Sequence, residues 1–110
     1  MKEILEKSLL QKIERLEAFE DRLKIRIEKL QINMGEHGYF ELFCEINPLV
    51  GTEISDNIKI ECVIYDTTGG ILDIKRDFIM KDNFFGFRIL CFTIKFNETI
   101  GKIRIYPQKN

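Results

Sequence analysis

The side chains that could do chemistry are few and scattered. His37 is the only imidazole, so a Ser-His-Asp or Cys-His arrangement has to be built around it or not at all. It lies between Glu36 and Gly38, in a stretch that reads as a turn, where a histidine is normally solvated. Cys44, Cys62 and Cys91 are an odd set of thiols far apart, with no C-x-x-C pair; neither a zinc site nor a disulfide framework is indicated. All three fall inside apolar, strand-like runs and are expected to be reduced, buried, small hydrophobes. Asp66, Asp73, Asp77 and Asp82 could converge at loops to supply the hard oxygens that calcium requires. Their spacing does not follow a D-x-D-x-D loop, and turn formation (Asp66, Asp82) or solvent exposure (Asp73, Asp77) accounts for them. Gly69-Gly70 is a turn pair and not a phosphate-cradling loop ahead of a helix. No catalytic, metal-ligating or cofactor-binding residue is assigned, and the chain is expected not to be an enzyme.

Recognition chemistry is better represented. Tyr39, Phe43, Tyr65 and Tyr106 fall opposite the regular apolar positions of their segments, Phe43 between Glu41 and Glu45. Exposed aromatics of this kind suit a carbohydrate- or peptide-binding face. The alternative is a sheet apolar on both faces and covered by a helix.

The elements that must position these groups are mostly strands. The organising stretch is Lys59 to Leu72: Ile58, Ile60, Cys62 and Ile64 share one face at period two, and Asp66-Thr67-Thr68-Gly69-Gly70 reverses the chain, which predicts a β-hairpin. Ahead of it, Arg22 to Met34 alternates with a phase slip at Glu28-Lys29 and predicts a bulged strand. A single helix continuing to Leu30 is the alternative for this segment. Gly35 to Gly38 makes a turn, and Phe40, Leu42, Cys44 and Ile46 form the next strand, ending at Asn47-Pro48. A loop from Leu49 to Asn57 precedes the Ile58–Tyr65 strand, and another strand starts at Ile71 and runs to about Phe78. Phe84 to Phe96 is the most apolar run and reads as a central strand. Asn97-Glu98-Thr99 is a turn that matches a glycosylation acceptor, expected to be unmodified in the absence of an export signal. Lys102 to Tyr106 is the last strand, with Pro107 ending it.

Residues 2–20 differ. Ile4, Leu5, Leu9, Ile13, Leu16 and Phe19 recur at three-to-four spacing among Glu, Lys, Gln and Arg, without Gly or Pro, predicting an amphipathic helix. Such a helix is marginal in water unless Leu5, Leu9, Ile13 and Leu16 find apolar surface to cover. Their heptad-like spacing favours self-association through the helix into a homodimer, with docking onto the chain's own sheet as the alternative.

The chain has 110 residues, 45% hydrophobic and 32% charged, which is the size of one domain with a real core. Seventeen basic against eighteen acidic residues give a net charge of -1, so no global field draws nucleic acid or anionic membrane. No stretch has the apolar length of a membrane span. As written the chain is expected to be cytoplasmic, and exported if it is a fragment of a longer protein. Six or seven short strands without intervening helices predict a mainly β fold, an antiparallel β-sandwich over 21–110 with one N-terminal amphipathic helix at 1–20.

The segment Cys62-Val63-Ile64-Tyr65-Asp66-Thr67-Thr68-Gly69-Gly70-Ile71, with Phe84-Phe85-Gly86-Phe87 and Lys102-Ile103-Arg104-Ile105-Tyr106-Pro107, resembles the FxLYD-type domains, small bacterial immunoglobulin-like sandwiches, over about 22–107. Tyr65 and Asp66 match that pattern, whereas Cys62 stands at its aromatic position and Ile64 at its Leu. The resemblance implies a non-enzymatic immunoglobulin-like sandwich, often attached to other modules, with no generally assigned ligand. Sequence and resemblance together predict an accessory or protein-interaction module without a cofactor, its candidate surface comprising Leu5, Leu9, Ile13, Leu16, Phe43, Tyr65 and Tyr106. The alternative is a sandwich that binds carbohydrate or calcium.

Overall fold

Period-two alternation becomes seven strands in the computed structural model, which describes residues 1–110. In chain order the elements are α1 (Lys2–Gln11), β1 (Ile13–Arg15), α2 (Glu17–Leu23), β2 (Ile25–Met34), β3 (Tyr39–Pro48), β4 (Ile58–Asp66), β5 (Ile71–Ile79), a 3-10 turn (Lys81–Asn83), β6 (Arg88–Lys95) and β7 (Ile100–Lys109). They make two sheets, one ordered β1-β7-β4-β5 and the other β2-β3-β6. All pairings are antiparallel except β1 with β7, which is parallel. The core lies between the sheets: Phe40, Leu42, Cys44 and Ile46 of β3, with Leu90, Phe92 and Ile94 of β6, belong to the same buried cluster as Ile58, Ile60, Cys62 and Ile64 of β4 and Ile103 and Ile105 of β7.

The bulge expected near Glu28-Lys29 is present. Glu28 pairs with Glu45 and Gln31 with Phe43, so Lys29 and Leu30 together oppose Cys44 alone. Lys29 takes a left-handed φ of 55° to absorb the extra residue.

Four readings are corrected. The helix over 2–20 is two helices: α1 stops at Gln11, and Ile13–Arg15 leave it to pair with Ile103–Ile105 of β7. Intrinsic propensity favours continuing the helix, but the open edge of β7 offers Ile13 a ladder and a place against the core. The continuous helix to Leu30 is excluded for the same reason, since α2 ends at Leu23 with Lys24 left-handed (φ 58°) and β2 follows at Ile25. The Phe-rich run is not a central strand: β6 is the edge of its sheet. Nor does Pro107 end β7, which pairs with β4 as far as Lys109. The Asn110 N–H donates to the Asn57 carbonyl. By alternation, the position of the missing Pro107 donor points away from β4, to a flank where β1 has already ended.

Candidate interaction surface

A sandwich of two open sheets has two flanks, and here they are finished differently. On one, β1 and β2 are the edges, and the helices pack against β2 and β7. Glu20 of α2 is completely buried there. Its carboxylate accepts from Arg15 Nε at 3.0 Å and Nη2 at 2.8 Å, and from the Ile27 backbone N–H of β2 at 3.2 Å. One side chain thus fastens β1, α2 and β2, and the bidentate fork gives the charge the partners that burial requires. At the far end of β2 the Met34 N–H donates to the Glu6 carboxylate of α1 at 2.7 Å, so this edge is occupied as well.

The predicted helical stripe is distributed over this flank and is not a seam. Leu9 is in the core, Ile13 lies in β1 and packs against the core, Leu16 is the half-buried residue ahead of α2, and Leu5 is partly exposed. The physical reason is the break at Lys12: once Ile13 becomes strand, the four residues no longer share a helix face.

The predicted aromatics separate into two faces. Phe43 is half-buried on the outer face of β3, between Gln31 of β2 and Cys91 of β6. Tyr65 and Tyr106 lie on the outer face of the other sheet. The Arg104 guanidinium stands 5.4 Å from the Tyr65 ring centre, held by Glu14 of β1, whose Oε1 accepts from Arg104 Nε at 2.7 Å. That bond keeps the Glu14 carboxyl below the usual carboxylate range. Phe19 of α2 packs edge-on against Tyr106 at 5.6 Å. Tyr65 and Tyr106 therefore already have partners within the chain, and Phe43 is separated from them by the thickness of the sandwich.

The other residues singled out for chemistry also fall apart. His37 is exposed in the β2–β3 turn, left-handed at φ 62°. Asp66 Oδ1 accepts from the Thr68 hydroxyl, the Thr68 N–H and the Gly70 N–H, closing the β4–β5 turn, while Asp82 sits beyond the opposite end of β5. The four aspartates do not converge, and no group of three His, Cys, Asp or Glu side chains has the arrangement of a metal site. Cys44 and Cys62 are buried as expected, and burial pushes both thiols up to about 12. Cys91 corrects the expectation: it is exposed on the outer face of β6, its Sγ 3.4 Å from the Glu41 carboxylate, because at an edge strand the outward positions of an apolar run meet solvent.

The second flank is that of β5 and β6. From the end of β5, through the connection, into β6, Phe78, Met80, Phe85, Phe87 and Ile89 are all exposed, Phe85 at 80%, Phe87 at 54% and Ile89 at 59%. Phe84 between them is buried and anchors the segment, and Gly86 donates its N–H to the Thr52 carbonyl at 3.0 Å. A cleft of about 700 Å³ between residues 52–55 and 81–86 shares Phe85. Sequence reasoning missed this surface because it placed the run in the middle of a sheet; the available signal was its flanking Lys81-Asp82-Asn83 break and the odd-numbered apolar residues Phe85, Phe87 and Ile89. No protein-family model matches the chain, and neither does any curated protein or any solved structure. No helix is long and apolar enough to cross a membrane.

Proposed function

We propose that the protein is a non-catalytic interaction module that works through its open β5–β6 flank. The observation that carries this is the run Phe85, Phe87 and Ile89, exposed at alternate positions where the connection enters β6. Clustered exposed aromatics mark contact surfaces, whereas single ones do not. In this reading the sandwich is of the immunoglobulin kind. β2, β3 and β6 take the places of strands A, B and E, and β5, β4 and β7 those of C′, C and F, with β1 in the position of the closing strand G but running parallel. The resemblance to FxLYD-type domains belongs to the same reading, with Tyr65 and Asp66 ending β4 and Asp66 closing its turn. To test it, a photo-crosslinking residue is placed at Phe85, with Glu98, in the turn between β6 and β7, as control, in cells that produce the protein. Discrete protein adducts from position 85 and none from 98 are expected. Equal labelling from both positions, or none from 85, rejects the reading.

A carbohydrate-binding reading has one observation in its favour, the cleft where Thr52, Glu53, Ser55, Lys81 and Asp82 surround Phe85. Glycan-array binding abolished by Phe85→Ala would favour it over the protein module.

A further inference from the structure

The four strand edges of this sandwich are unequally protected. β1 is three residues long, β2 is bulged and touched by α1, and β5 turns Asp73, Lys75 and Asp77 to its inner side opposite Ile64, Cys62 and Ile60. Short length, bulges and inward charges are the usual ways of keeping an edge from recruiting another strand. β6 has only one of them, the charge of Arg88 at its first residue, opposite Ile46. It pairs with β3 over eight residues without a register shift, and beyond Arg88 its inward residues Leu90, Phe92 and Ile94 are apolar and buried.

The free backbone groups of β6 can be located. The Phe96 N–H donates to the Gly38 carbonyl at 2.7 Å, on the same register that pairs Phe40 with Ile94. By alternation, Arg88, Leu90, Phe92 and Ile94 turn their N–H and C=O groups to β3, while Ile89, Cys91 and Thr93 turn theirs outward. The same three residues carry the exposed side chains of the outer face.

We propose that β6 pairs antiparallel with β6 of a second copy about a two-fold axis at Cys91, joining the two three-stranded sheets into one of six strands. This rests on the interaction-module reading and names its partner. Several features select a second copy in this register. A two-fold centred between residues would set inner-face side chains against outer-face ones, and one between Cys91 and Phe92 would also bring Arg88 opposite Lys95 of the other copy; a centre on a residue avoids both. A centre at Cys91 sets Ile89 opposite Thr93 and the exposed Phe87 opposite Lys95 of the other copy, where a cation can lie over the ring. Phe85, Phe87 and Ile89 together contribute on the order of 300 Å² of exposed surface per copy. With the strand backbone, the interface reaches about 1,000 Å² in total, the lower bound for a specific association.

The test uses the full chain. Sedimentation at tens of micromolar is expected to show a dimer, and copper-phenanthroline oxidation is expected to link it through Cys91, since directly opposed hydrogen-bonded residues have Cα atoms about 5.5 Å apart, within disulfide reach. Cys91→Ser abolishes the link and leaves the dimer. Ile89→Lys with Thr93→Lys sets like charges opposite each other and is expected to weaken association at least tenfold; Ile89→Lys with Thr93→Glu restores it, because each new cation then faces a new anion. Circular dichroism melting of both double variants checks that the monomer fold is kept. A folded monomer at these concentrations, a dimer indifferent to the double lysine variant, or a failure of the Lys/Glu rescue overturns the proposal. If the chain is monomeric but photo-adducts at Phe85 contain another protein, the module reading stands and the second copy falls; with no adducts both fall.

Discussion

The two flanks of this sandwich solve one problem in opposite ways. Both leave a strand edge on each sheet. The β1–β2 flank closes with two helices of ten and seven residues and a three-residue strand, and fixes them with an ion pair whose carboxylate is buried. The β5–β6 flank carries no cover; β5 is guarded by charge along its length, β6 only by Arg88 at its start. An edge can therefore be made safe by filling it or by making its neighbours repellent; a strand treated in neither way is a binding element or a liability.

The comparison can be broken most forcibly at Arg15. Arg15→Met leaves the fully buried Glu20 carboxylate with the Ile27 N–H alone, and a loss of about 3–5 kcal/mol is expected in urea unfolding. Arg15→Met combined with Glu20→Leu should recover most of it. If Arg15→Met costs less than about 1 kcal/mol, the pair does not hold the flank. Leu9→Ala is next, at about 2–4 kcal/mol, because Leu9 is part of the core; a helix that only decorated the surface would lose almost nothing.

The thiols sharpen the contrast with the open flank. In native buffer a thiol reagent should label Cys91 alone. Cys44 and Cys62 have folded values pushed up to about 12 by burial, above the unfolded value of about 8.5. Between pH 9 and 12 the folded state therefore holds protons that the unfolded state has lost, and stability falls as pH rises, by about 1.4 kcal/mol per pH unit for each cysteine. Cys62→Val should remove about half of that slope, measured as unfolding free energy against pH. The smallest effect belongs to the open flank: Ile89→Lys should change monomer stability by less than about 0.5 kcal/mol, in contrast to Leu9.

Much of the fold was legible because alternation is local. The β4–β5 hairpin and the β2 bulge follow from residues close together in the chain. What escaped depended on distant partners. Ile13–Arg15 read as helix because nothing nearby reveals that β7 has a vacant edge. The role of Glu20 escaped as well, because its partners, Arg15 and the Ile27 N–H, come together only once the apolar stripe is broken. An apolar run such as Phe84–Phe96 looks the same at a sheet's centre and at an edge whose outer side is left for contact, so neither Cys91 nor the Phe85–Ile89 surface could be assigned an exposure. Of the aromatics named in advance, Phe43 does border Cys91 on the outer face of that sheet, whereas Tyr65 and Tyr106 are engaged by Arg104 and Phe19.

The parallel pairing of β1 with β7 has a consequence for how the protein is made. Glu14 and Arg104, joined by a 2.7 Å hydrogen bond, are 90 positions apart, so the first strand synthesised waits for the last. Until β7 has left the ribosome, β1 has no ladder to join, and contacts of this sequence separation form late because closing the intervening chain costs entropy first. Nascent chains halted before Ile100 should thus remain sensitive to protease at Lys12 and Arg15, and protection there should arrive only with the final strand.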